Sequence, residues 1–129
     1  MRDYKKLIAF RLAHDAVLTV YRITNLFPKE EVFGLTAQMR RAAVSISSNI
    51  VEGCSRASEK DYQRFIEIAF GSCRELHYQT TLSHQLGYLS KDDYAELDPQ
   101  LEELEKVLGA LYRSLQTPPK NLPPNQPTP

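Results

Sequence analysis

The sequence predicts an all-α fold, an antiparallel up-down four-helix bundle, and three observations lead there. Four stretches carry apolar residues at steps of three and four. Glycine, proline and serine mark the breaks between those stretches. No hairpin signature, strand alternation or fixed-period repeat competes with that pattern. Links this short favour antiparallel neighbours.

The first stretch runs from Lys6 to about Phe27. Leu7, Phe10, Val17 and Tyr21 form one stripe, and Ile8, Ala9, Ala13, Ala16, Val20 and Ile23 widen it beyond what one bundle seam needs. Pro28 stops it. The link from Pro28 to Gly34 carries a charged tip, Lys29-Glu30-Glu31, with no function assigned to it. The second stretch starts after Gly34 and reaches about Glu52. Leu35, Met39, Ala42, Ala43, Ile46 and Ile50 share a face, small residues are dense, and Gly53 reads as the left-handed terminator. The third stretch opens at Ser58, a cap with Asp61 three residues on, and ends near Leu86 with Gly87 as C-cap. It should be the longest helix, roughly 28 residues and about 42 Å. The fourth opens at Ser90 with Asp93 at the third position. Tyr94, Leu97, Leu101, Leu104, Leu108, Leu111 and Leu115 then step alternately by three and four, a clean seam. Pro99 interrupts it, and because the phase continues across Pro99 a kink is expected rather than a break, the alternative being a fresh start capped by Asp98.

These stretches define a domain over residues 1–116, large enough to bury a core without a disulfide or a metal. Residues 117–129, TPPKNLPPNQPTP, hold six of the eight prolines and read as a disordered appendage. The N-terminus lacks the long apolar run of a signal peptide, and no stretch approaches a membrane span, which points to the cytoplasm. Cys54 and Cys73, nineteen positions apart, match no zinc or redox spacing and are expected as reduced, buried thiols.

No constellation announces a reaction, so the chain is expected to be no enzyme, with no catalytic residues, cofactor or metal. The glycines are scattered and form no phosphate loop. Glu-x-x-His, the signature of carboxylate di-iron bundles, is absent. His77 and His84 are seven apart, about 10.5 Å along a helix, too far to chelate together, although His14 could meet His77 inside a bundle. The most unusual segment is RRAAVSISSNIVEG, Arg40 to Gly53. Its adjacent arginines point about 100° apart on a helix, so one can pair within the bundle while the other reaches outward.

Formal charge is zero overall but uneven. Residues 1–29 hold six basic and two acidic groups, and residues 90–116 hold three basic and seven acidic. A chain without a net positive field is not a typical sequence-independent nucleic-acid binder. The residues that would make a local basic face are Arg40, Arg41, Lys5, Lys6, Arg11 and Arg22.

The second stretch, with Gly34-Leu35-Thr36, Gln38 through Ala43, Ser45-Ile46, Ser48-Asn49-Ile50 and Glu52-Gly53, resembles the four-helix bundle proteins encoded in intervening sequences of bacterial large-subunit ribosomal RNA genes. Ala13-His14, Phe65 through Ala69, Glu75-Leu76 and Leu86-Gly87-Tyr88-Leu89 extend the likeness to about Leu115. Ser47, Val51 and Phe10 stand where that family usually has proline, alanine and tryptophan, so the bend such a proline brings is not implied here. The resemblance implies a four-helix protomer that assembles into a ring, most often a pentamer. The accessory protein of diversity-generating retroelements is similar; it is a basic pentameric barrel that works with a reverse transcriptase and nucleic acid. Two features of the sequence itself fit assembly with further copies: the over-wide apolar first helix, and a basic first helix matched to an acidic last one. The expected partner is therefore the chain itself, with RNA, DNA or a nucleic-acid-processing protein as cargo. The alternative is a protein-interaction adaptor that binds no nucleic acid.

Overall fold

The structure is a computed structural model and describes residues 2–116. Four helices make up the bundle: α1 (Ile8–Thr24), α2 (Leu35–Cys54), α3 (Glu59–Gln85) and α4 (Lys91–Ser114), with single 3-10 turns at Tyr4–Lys6 and Lys29–Glu31. No strand occurs among the described residues. Each helix packs on its sequence neighbours and α1 closes the ring against α4, leaving α1–α3 and α2–α4 as the diagonals. Cross-helix bonds fix the alternating direction. Arg2 N–H donates to the Cys54 carbonyl, which sets the start of the chain beside the end of α2. Arg22, near the end of α1, pairs with Glu96 near the start of α4. The proline-rich tail expected over 117–129 lies outside the described residues.

The caps formed as their chemistry requires. Ser58 and Ser90 each accept the N–H of the residue three on, Asp61 and Asp93, at 3.1 Å. Gly87 follows α3 with φ +82°, a conformation that costs glycine least. α1 is shorter than its apolar pattern suggested. Leu7 is extended, and Leu26 and Phe27 donate to the carbonyls of Ile23 and Thr24, three residues back, so the final turns tighten out of α-helix before Pro28.

One expectation is corrected. Gly53 does not end α2; it lies inside the helix, which continues through Cys54. Its value is steric, since a Cβ there would sit 2.9 Å from Phe65 Cβ and 3.2 Å from the Tyr62 ring. The expected continuity across Pro99 holds: one helix spans Lys91–Ser114 with the proline inside it, and the alternative restart does not occur. Pro99 faces solvent, where water can satisfy the carbonyl its missing N–H leaves unpaired. Asp98 therefore caps nothing.

The core is asymmetric in size. α1 contributes alanines 9, 13 and 16 with Val20 and Ile23, whereas α4 contributes the fully buried leucines 97, 101, 104 and 108. Small side chains on α1 leave room for large ones opposite, and each buried leucine contributes about 1.5–3 kcal/mol through loss of apolar surface from water. This rigid frame sets the outer faces on which partners or ligands would act.

Candidate functional site

The six basic residues singled out in the sequence divide into two groups. Arg40 is half-buried, and its guanidinium donates to Thr24 Oγ1 and Asn25 Oδ1, each at 2.9 Å, and lies 4.6 Å over the Tyr21 ring. It fastens the start of α2 to the end of α1. Arg41 points outward, as the 100° offset required, and reaches Glu75 on α3 at 2.7 Å and Gln38 on its own helix. Arg22 bridges to Glu96 and approaches Asp93 at 3.9 Å. These three are engaged in holding helices together. Lys5, Lys6 and Arg11 are exposed, and among the described residues none has a carboxylate in ion-pair range. They cluster near the pole where α1 begins, about 16 Å of helix rise from Arg22. The six residues therefore do not form one continuous basic surface.

The densest polar arrangement lies elsewhere, between α3 and α4. His77 Nε2 stands 2.7 Å from Asp98 Oδ1, and Nδ1 stands 2.8 Å from Glu105 Oε1. All three side chains are about one-fifth exposed, and His77 and Glu105 line a groove of about 360 Å³ together with Arg74, Tyr78 and Thr81. Partial burial favours the neutral ring, but the hydrogen bonds and charges of Glu105 and Asp98 outweigh it and raise the His77 pKa. The imidazolium then donates to both carboxylates and straps α3 to α4. The two acids occupy opposite ring nitrogens, so the three groups do not converge on a single ion in this arrangement. His14 does not meet His77. It lies on α1, diagonal to α3, stacked on Phe10 at 5.9 Å.

Both thiols are free and buried. Burial, reinforced by Glu105, pushes Cys73 up to about 12, and burial also raises Cys54. The Tyr62 phenol beside Cys54 is likewise pushed up to about 12, chiefly by burial. Such groups stay protonated near neutrality and make poor nucleophiles.

With the bundle and its outer faces described, comparison with known proteins settles its kinship. Residues 5–110 match the 23S rRNA-intervening sequence protein family. The chain belongs to that family. The fold is also similar to a crystal structure of a protein of unknown function from the S23 ribosomal protein family of Bacteroides thetaiotaomicron: TM-score 0.68, 24% identity, 82% of this chain and 99% of that one covered. No curated protein matches the sequence. The Arg40-to-Gly53 segment that carried the likeness to the intervening-sequence family lies wholly inside the matched span.

Two further surface features of this family member bear on function. α1 keeps large apolar side chains outside although its inner stripe is fully packed: Ile8 is 60% exposed and Leu18 58%. The α1–α2 link presents Leu26, Val32 and Phe33 to solvent, Phe33 at 93%. Sequence reading saw only the charged tip of that link. The signal it passed over was Val32-Phe33 just outside any periodic stretch. No helix among the described residues is long and apolar enough to cross a membrane.

Proposed function

We propose that the chain works as a non-enzymatic homo-oligomeric scaffold in the cytoplasm, closing into a ring of five, on which a nucleic-acid or ribonucleoprotein partner is held. One observation carries the assembly reading: α1 has filled its share of the core and still presents Ile8 and Leu18 outside. A helix apolar beyond its packed face gains from a neighbour that covers the remainder. Light scattering coupled to size-exclusion chromatography tests it. A native mass near five times the 14.8 kDa chain is expected, and a single-chain mass overturns the reading.

The nucleic-acid part rests on Lys5 and Lys6, which are exposed at the pole where α1 begins and have no ion-pair partner among the described residues. The exposed Phe33 favours a second reading, an adaptor that docks a partner protein at the opposite pole. Titration with structured RNA separates the two. Affinity falling steeply with salt follows from phosphate contacts, whereas no binding at low ionic strength leaves the adaptor.

A further inference from the structure

We propose that the outer faces of α1 and α3 are the two halves of one self-interface, with α1 of one copy lying against α3 of the next. The inference deepens the assembly reading above and rests on it. Its starting point is Gly71, midway along α3. Gly71 is exposed, and a Cβ built there would meet nothing within 4 Å. Its φ is not in the left-handed region, since among the described residues Gly87 alone has a positive φ. Neither a turn nor packing within the chain calls for glycine here, unlike Gly53, and glycine inside a helix is less stable than alanine by roughly 0.5–1 kcal/mol. What a bare backbone offers on an outer helix face is room for a second helix to come close.

The surroundings of Gly71 match α1. Ile68, one turn before it, and Tyr78, two turns after, are both exposed on α3. On α1 the exposed Ile8 and Leu18 flank Leu12, which is half-buried. Between them stand Arg11 and Asp15, with no ion-pair partner among the described residues, and on α3 Glu67 and Arg74 are likewise unpaired. In an up-down bundle α1 and α3 run in the same direction. Read from their shared pole, α1 presents a cation then an anion, and α3 an anion then a cation. Bonds through the intervening helices set the heights. The chain Thr24–Arg40 and Ser45–Ser72 on one side, and Arg22–Glu96 and Cys73–Leu101 on the other, bring Asp15 to about the level of Ile68 to Gly71 at 1.5 Å per residue. Copies set side by side and parallel would thus pair Arg11 with Glu67 and Asp15 with Arg74, with Leu12 and Leu18 laid along Ile68 and Gly71. α1 and α3 are diagonal in the bundle, so the face given and the face received lie on different sides of the protomer. Such a contact is heterologous: it repeats from copy to copy instead of stopping at a dimer, and it closes into a ring where the rotation between successive copies closes.

The full chain and three variants test this by native mass and far-UV circular dichroism. Gly71→Trp is expected to reduce the assembly to single chains with helix content intact, because the position is exposed and a Cβ there meets nothing within 4 Å in the protomer. Arg11→Glu is expected to raise the half-assembly concentration about tenfold or more by facing Glu67 with a like charge. The double variant Arg11→Glu/Glu67→Arg is expected to restore assembly, a rescue that a fold defect would not give. A wild-type oligomer unaffected by both Gly71→Trp and Arg11→Glu overturns this surface while leaving the assembly reading standing. A wild-type single-chain mass overturns both. Should Gly71→Trp lose helix content, the Arg11→Glu loss and its rescue decide the question alone.

Discussion

Replacing His77 with glutamine removes the group that bonds Asp98 and Glu105 together, the only one among the described residues. Glutamine keeps a similar size, but its amide nitrogen serves one carboxylate while its oxygen confronts the other. A hydrogen bond to a charged group contributes about 1.5–3 kcal/mol, and these side chains are only about one-fifth exposed, so screening is modest. Losing one such bond and facing an acceptor with an acceptor should cost about 2–3 kcal/mol at pH 6. For a domain of this size that lowers Tm by about 8–12 °C. The pH dependence supplies the sharper check. The folded His77 pKa is raised above the unfolded value of 6.5. Its contribution is then fully present below pH 6.5 and is lost as pH rises through the higher folded value. Wild-type stability should therefore decline from pH 6.5 toward mild alkalinity, and His77→Gln should lack that decline, so the two melting curves converge. The raised thiols and Tyr62 stay protonated in the folded protein across that window, and proton loss from the unfolded cysteines above about pH 8 lowers both proteins alike, so the difference between the two profiles isolates His77. Parallel stability profiles from pH 6 to 8.5, measured by urea denaturation, would refute the strap.

Gly53→Ala should destabilise the fold by about 1–3 kcal/mol, because the new methyl meets Phe65 and Tyr62 inside ordinary contact distance; an unchanged urea midpoint would contradict that packing. Arg40→Met, which keeps an apolar stem but loses the bonds to Thr24 and Asn25, should cost about 1–2 kcal/mol. It should also speed hydrogen exchange near the end of α1 more than in α4, and equal protection in both helices would speak against the fastening role. Cys54 and Cys73 should resist a thiol reagent in the native protein and react fully in denaturant; rapid native labelling would place them outside the core.

The fold was legible because its signals are local. The leucine ladder of α4, the serines 58 and 90 and the glycine at 87 act within one or two helical turns, and each did what its spacing required. Gly53 misled for the same reason. A glycine near the end of a periodic stretch reads as a terminator, and only the approach of α3 shows that its lack of a side chain matters more than its φ. The adjacent arginines announced that one would turn inward, but nothing local said that Arg40 would find a threonine and an asparagine in place of an acid. The His77 strap joins residues 21 and 28 positions apart in sequence. Its one available sign was that Asp98 and Glu105 are seven apart, hence on one face of α4. Pairing that face with His77 requires the register of two antiparallel helices, which composition and periodicity do not fix.

Arg2 is tied to the end of α2, and Leu115 closes α4 at that same pole, so the chain enters and leaves the bundle on one side. The opposite pole, with Phe33 at its tip, carries neither end of the described residues. Both ends of the described bundle, Arg2 and Leu115, therefore lie at the pole away from Phe33, so whatever docks on Phe33 meets the α1–α2 link and not the first or last turn of the helices.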